Sequence, residues 1–139
     1  MATAADGRVR RLALPSLVAG AAAASTVPFL LRDPHVTGSW GSCPVLAVTG
    51  IYCPGCGGLR AVNDLAHLRL GDALSSNGWV VLFIAAVGLS WAAWTWGRLR
   101  ARPVRWDRWI TTPVAWSALA SLLAFSVLRN TPLLAVLAP

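Results

Sequence analysis

Residues 78–97 read GWVVLFIAAVGLSWAAWTWG, a run without a charged side chain. A helix of about 20 apolar residues is long enough to cross the hydrocarbon core of a bilayer. Two further charge-free windows, residues 12–31 and 110–128, are similar in length and character. These windows predict an all-α integral membrane protein with three transmembrane helices, plus a short amphipathic helix in the loop that joins the first two.

The composition agrees with this prediction. Of the 139 residues, 56% are hydrophobic and 12% are charged, whereas charged residues make up about a quarter of a typical soluble protein. We predict a single membrane domain over residues 1–139. Within it, residues 32–77 form a loop that contains all three cysteines and both histidines.

Arginine is distributed unevenly along the chain and predicts its orientation. The net charge is +7, with +2 in residues 1–11, +4 in residues 98–108 and zero in the loop of residues 32–77. The positive-inside rule places the two basic segments in the cytoplasm. It follows that the cysteine loop and the carboxyl terminus lie on the extracytoplasmic side.

Two features of the sequence allow an alternative interpretation. The first apolar window resembles a cleaved signal peptide, with Ala22 and Ala24 before Ser25, but its apolar run continues to Leu31, which favours retention. The basic residues are compatible with nucleic acid binding, yet membrane topology and anionic headgroups explain them. The predicted partners are the lipid bilayer, with other membrane proteins as further candidates, and not nucleic acid.

The cysteines lie close together in sequence, in Cys43 and in the run Cys53-Pro54-Gly55-Cys56. On the oxidising side of a membrane, paired cysteines normally form a disulfide, and a loop of about ten residues would gain roughly 2–3 kcal/mol. The three possible pairings stay open. Thiol–disulfide exchange is a second chemistry, with Cys53 attacking, Cys56 resolving and Cys43 relaying.

Metal binding is the third chemistry, because three thiolates and one histidine form a familiar ligand set. His35 is the candidate fourth ligand. His67 is excluded, since a continuous helix would put it roughly 16 Å from Cys56. No cofactor is predicted.

A helix over residues 57–70 is predicted from the spacing of its apolar residues. Its polar residues fall on one side, around Cys56, and either face water or line a polar groove in the helix bundle. Arg60 and Asp64 have the spacing of an intrahelical ion pair. The residues of the polar stripe are Arg60, Asn63, Asp64 and His67.

Other residues of the loop are predicted to shape the backbone. Proline and glycine fix or relax torsions at the helix entry, and Gly71 and Asp72 would provide a helix stop and a new N-cap. The predicted shaping residues are Pro54, Gly55, Gly57, Gly58, Gly71, Asp72 and Asn77.

The run from Gly50 to Ala61, together with Cys43-Pro44, Gly71-Asp72 and Asn77, resembles a bacterial membrane family known as domain of unknown function 2752. The family signature is CPxCGxTRA, followed by a glycine-acidic turn and an asparagine that opens the next helix. The likeness covers roughly residues 40–80 and extends loosely to residues 129–132. Leu59 stands where the family usually has threonine. The resemblance implies a multi-pass protein of the bacterial cell membrane, but no activity.

The favoured function is a small, non-enzymatic accessory or structural component of the membrane whose cysteines brace the loop. One alternative is a membrane thiol–disulfide oxidoreductase that uses Cys53 and Cys56. A metal-binding membrane protein is the other.

Overall fold

The computed structural model describes residues 4–102, 104–106 and 109–132. These residues form helices and turns and contain no strand, which confirms the all-α prediction. Two helices contain apolar stretches long enough to cross a membrane, Gly7–Leu31 and Leu70–Leu99, and a third apolar helix is shorter, at 17 residues. The helices are α1 (Ala4–Leu31), α2 (Pro44–Thr49), α3 (Gly58–Ala66), α4 (Leu70–Leu99) and α5 (Thr112–Leu128).

Helix α4 is broken at Asn77, the residue that the sequence predicts to shape the start of a helix. Asn77 has extended backbone torsions (φ −163°, ψ 91°), and its side-chain Oδ1 accepts a hydrogen bond from the N–H of Val80 at 3.0 Å. This is the bond by which an asparagine caps a helix N-terminus. The long apolar part of α4 therefore starts at Gly78, as the charge-free window predicts.

The core of the molecule lies where α3 packs on α4. Its buried apolar residues are small: Ala61 and Ala73 are fully buried and Val81 is 7% exposed. At Gly58, an added Cβ atom would lie 3.4 Å from the Val80 side chain. Small residues at such a crossing let two helix backbones approach closely.

The helix boundaries in the loop correct three predictions. Helix α2 was not predicted; it begins at Pro44, and proline suits the first turn of a helix. Helix α3 ends at Ala66 rather than residue 70, because Leu68 adopts a left-handed conformation (φ 60°). The predicted stop at Gly71 and cap at Asp72 are therefore wrong, since both residues lie inside α4.

Helix α1 contacts α4 at the arginine-rich end and α3 at the cysteine end. At the arginine-rich end, Arg98 Nε donates to the carbonyl of Arg11 at 2.8 Å. At the cysteine end, Asn63 Nδ2 of α3 donates to the carbonyl of Phe29 in α1 at 2.6 Å. The rest of these helices is apolar and exposed, with only 6% of each apolar window buried.

Candidate functional site: the cysteine cluster

The three cysteines come together at one end of the helices. The Sγ atom of Cys53 lies 3.5 Å from that of Cys43 and 3.4 Å from that of Cys56, and all three Sγ atoms lie within 4.8 Å of one another. All three are free thiols. The predicted disulfide is therefore wrong for this structure, because a covalent S–S bond is only about 2.05 Å long.

Two side chains from distant parts of the sequence hold the backbone around Cys53 and Cys56. Asn77 Nδ2 donates to the carbonyls of Pro54 (2.8 Å) and Cys56 (2.9 Å). The guanidinium of Arg129, which is only 1% exposed, donates to the carbonyls of Cys53 (3.3 Å) and Cys56 (3.1 Å). The loop carbonyls are thus satisfied by side chains of α4 and of the residues after α5.

Asn130 fixes Tyr52, the residue just before Cys53. Its Oδ1 accepts from the N–H of Tyr52 at 2.8 Å, and its Nδ2 donates to the carbonyl of Tyr52 at 2.9 Å. This reciprocal pair imitates the pairing between two strands. It joins the chain after α5 to the loop without any covalent bond.

Behind the loop, the fully buried carboxylate of Asp64 accepts hydrogen bonds from three directions. Arg69 Nη2 lies 2.7 Å and His35 Nε2 3.0 Å from its Oδ1, and Ser76 Oγ lies 3.1 Å from its Oδ2. A buried carboxylate needs such partners, because an uncompensated buried charge is costly. This network joins α3, α4 and the segment after α1.

The environments of the thiols differ. The backbone N–H of Leu46, at the start of α2, and the Cys53 and Cys56 thiols lower the pKa of Cys43 to about 7. Burial, together with the neighbouring Cys53 and Cys43 thiols, raises the pKa of Cys56 to about 12. A helix N-terminus favours a thiolate, and burial disfavours one. At neutral pH and without metal, the Cys43 thiol therefore holds negative charge more readily than the Cys56 thiol.

Two of the four residues of the polar stripe face inward. Asn63 and Asp64 are buried, whereas His67 and the apolar Leu59 (40%) are exposed. The interpretation of the stripe as a water-facing surface is wrong for these two residues, and the polar groove is the better description. The expected ion pair between Arg60 and Asp64 is also absent from the described chain, since Asp64 pairs with Arg69 and His35.

Neither histidine joins the thiols. The ring of His35 contacts Asp64, which corrects its prediction as a fourth metal ligand. His67 Nδ1 bonds to the carbonyl of Asn63 at 2.8 Å, one turn back along α3. This position of His67 agrees with its exclusion as a metal ligand.

Sequence reasoning assigned no role to Arg129, Asn130, Arg69 or Ser76. The signal for the first two was weak: a charged and an amide residue directly follow an apolar helix at the end where the cysteines lie.

Gly57 is one of the residues that the sequence predicts to shape the backbone. Gly57 (φ 76°) needs the left-handed conformation that glycine adopts without strain, and it precedes the first residue of α3.

The fold and the site together define a small helical protein with long apolar helices and a three-thiol cluster at one end. Residues 43–91 match the model of a protein family described as "Protein of unknown function (DUF2752)". This match confirms the resemblance expected from the sequence. Comparison with curated proteins and with solved structures finds no match.

Proposed function

We propose that this chain is a non-enzymatic membrane protein whose cysteine cluster binds one soft metal ion, with Zn²⁺ as the simplest case. The observation that carries the proposal is the approach of three Sγ atoms to within 4.8 Å of one another. Thiolates bind Zn²⁺ at about 2.3 Å, so two thiolates of a tetrahedral site lie roughly 3.8 Å apart. The contacts of 3.4 and 3.5 Å are within a few tenths of an ångström of that spacing.

The loop supports metal binding because its shape does not depend on the thiols. Asn77, Arg129 and Asn130 already fix the carbonyls around the cysteines. A brace made of cysteines would thus add little, which argues against the function first favoured from the sequence. Ligands held in place by their surroundings bind a metal with less ordering cost.

Charge also supports the proposal. Three thiolates and a divalent ion carry a net charge of −1, and the buried guanidinium of Arg129 lies against the carbonyls of Cys53 and Cys56. No histidine, cysteine or carboxylate of the described residues supplies a fourth ligand. Water or an external ligand would occupy that position, as in zinc sites with an open position.

The test is metal analysis of protein purified without chelators. We expect about one zinc ion per chain and at least a tenfold loss of affinity when any of the three cysteines is changed to serine. Ser42→Ala, next to Cys43, is the control and should bind normally. Less than a tenth of an ion per chain in wild-type protein, or unchanged binding in the serine variants, would rule out the proposal. Intact mass should show three free thiols.

A membrane-spanning role for α1, α4 and α5 is part of the same proposal. Residues 11 and 98 are in contact at one end, and the cysteine loop contacts Asn77 and Arg129 at the other. From Asn77 to Arg98 a helix rises roughly 31 Å, close to the hydrocarbon thickness of a bilayer. Charge then orients the arginines to the cytoplasm and the cysteines outward. Labelling of single introduced cysteines at the two ends, in a cysteine-free chain, tests this orientation.

Thiol–disulfide exchange is the second candidate, and the lowered pKa of Cys43 favours it. In this alternative the Cys43 thiolate, rather than Cys53, attacks a substrate disulfide and releases one substrate thiol. Cys53, 3.5 Å away, then displaces the second thiol and leaves a Cys43–Cys53 disulfide. Cys53→Ser should trap a mixed disulfide on Cys43, whereas a chain that forms no such adduct is not an exchange enzyme.

A further inference from the structure

A cavity of about 770 Å³ lies beside the cysteine cluster, between the segment after α1 and the start of α3. Its walls combine apolar and aromatic side chains with two of the three thiols, those of Cys43 and Cys56. The residues that matter for its ligand are Val36, Trp40, Leu46, Tyr52, Leu59 and Arg60.

Arg60 gives this cavity its charge. It is the only Arg, Asp, Glu or His among the lining residues. Its expected partner, Asp64, bonds instead to Arg69 and His35. Within the described part of the chain, Arg60 makes no ion pair and no hydrogen bond through its side chain. A partly buried guanidinium of this kind is stabilised by an anion that enters from outside.

We propose that this cavity binds the phosphate headgroup of a membrane phospholipid through Arg60. The planar guanidinium offers two parallel N–H donors that match phosphate oxygens. The apolar walls then accept the first part of the lipid chains, and Val36 (60% exposed) and Leu59 (40% exposed) continue this apolar surface. Trp40 and Tyr52 are the amphipathic aromatic residues that favour the headgroup level of a bilayer. The inference does not depend on the metal site.

The test uses photo-crosslinking in native-like membranes. The probe is phosphatidylglycerol with a diazirine close to its headgroup, and a diacylglycerol with the same diazirine lacks the phosphate. Crosslinked peptides are mapped by mass spectrometry in wild type, Arg60→Gln, Arg60→Lys and Arg100→Gln. Arg100, which lies 4.3 Å from the Trp96 ring at the other end of α4, is the matched control.

We expect the phosphatidylglycerol probe to label residues 36–46 or 52–60. Arg60→Gln should reduce this labelling at least about tenfold, since a charge-assisted bidentate contact is lost. Arg60→Lys keeps the positive charge but cannot form the bidentate hydrogen bond, so labelling should fall about two- to threefold. Arg100→Gln should label as the wild type does.

Three outcomes would overturn the proposal. Equal labelling of the cavity by diacylglycerol would show that phosphate is not recognised. Unchanged labelling in both Arg60 variants would show that Arg60 does not bind the headgroup. Stronger competition by glycerol phosphate than by unlabelled phosphatidylglycerol would show that a soluble phosphate ester, and not a lipid, is the preferred ligand. A folded Arg60→Lys variant keeps the test valid if Arg60→Gln fails to fold.

Discussion

Helices α3 and α5 differ in what they bury. Helix α3 buries Ala61, Asn63 and Asp64 and leaves Leu59 exposed. Helix α5 is apolar on all sides and buries none of its residues, with Trp116 66% exposed. In a soluble protein the apolar face of α3 would be buried and its polar face would meet water.

The difference indicates which interactions hold this molecule together. In an apolar surrounding, polar groups must be satisfied inside the protein, whereas apolar side chains gain nothing by leaving lipid for the interior. The hydrogen-bonded end around Asp64 and Asn77 should therefore contribute most of the stability, and the apolar spans little. Four comparisons of paired variants test this, each by thermal unfolding in lipid nanodiscs.

The largest effect is expected at Asp64. Replacing Asp64 by alanine removes the acceptor for Arg69, His35 and Ser76, so we expect a loss of about 3 kcal/mol. Asp72→Ala is the control, since Asp72 is 66% exposed and its contact with Arg69 is 3.9 Å long; it should change little. Equal effects of the two changes would contradict a stabilising polar core.

Asn77→Ala should follow, with a loss of about 2 kcal/mol. The change leaves the carbonyls of Pro54 and Cys56 without their amide donor and removes the cap on Val80. It should also weaken zinc binding, because the loop loses its support. Ser75→Ala, two residues earlier and exposed, should leave both stability and zinc affinity unchanged. A stable variant with intact zinc binding would argue against a preformed loop.

Val81 and Leu82 are neighbours in α4, but one side chain is buried and the other is exposed. Val81 is 7% exposed, and Leu82 is 67% exposed. We expect Val81→Ala to cost about 1–2 kcal/mol through lost packing, and Leu82→Ala to cost less than about 0.5 kcal/mol because its exposed side chain packs little within the chain. The reverse order would place Leu82 in a contact with another chain.

The smallest effect is expected for glycine. Gly57→Ala introduces a side chain at φ 76° and should cost about 1 kcal/mol. Gly88→Ala places a Cβ atom where nothing lies within 4 Å and where the backbone is helical, so stability should be unchanged or slightly higher. A tolerated Gly57→Ala would mean that the loop can adopt another backbone path.

Much of the local structure could be predicted from sequence. Charge-free windows identified the apolar helices, and Asn77 was placed correctly at the start of the long apolar part of α4. The end of α3 could not be predicted, because Leu68 is an unusual residue for a left-handed turn, and the hydrogen bond from Arg69 to Asp64 that spans it does not follow from helical spacing. Helix α2 was missed, because a helix of six residues is too short to show a periodic pattern.

The sequence by itself determined the helical class, the apolar segments and the confinement of every cysteine to one loop. These follow from composition and periodicity, which depend on neighbouring residues only. The tertiary structure decided that the thiols meet as three free groups, that Asp64 pairs with Arg69 and His35 instead of Arg60, and that Arg129 and Asn130 lock the loop. Those contacts join residues up to 78 positions apart. Such pairings depend on which helices pack together, and no local pattern in the chain encodes that choice.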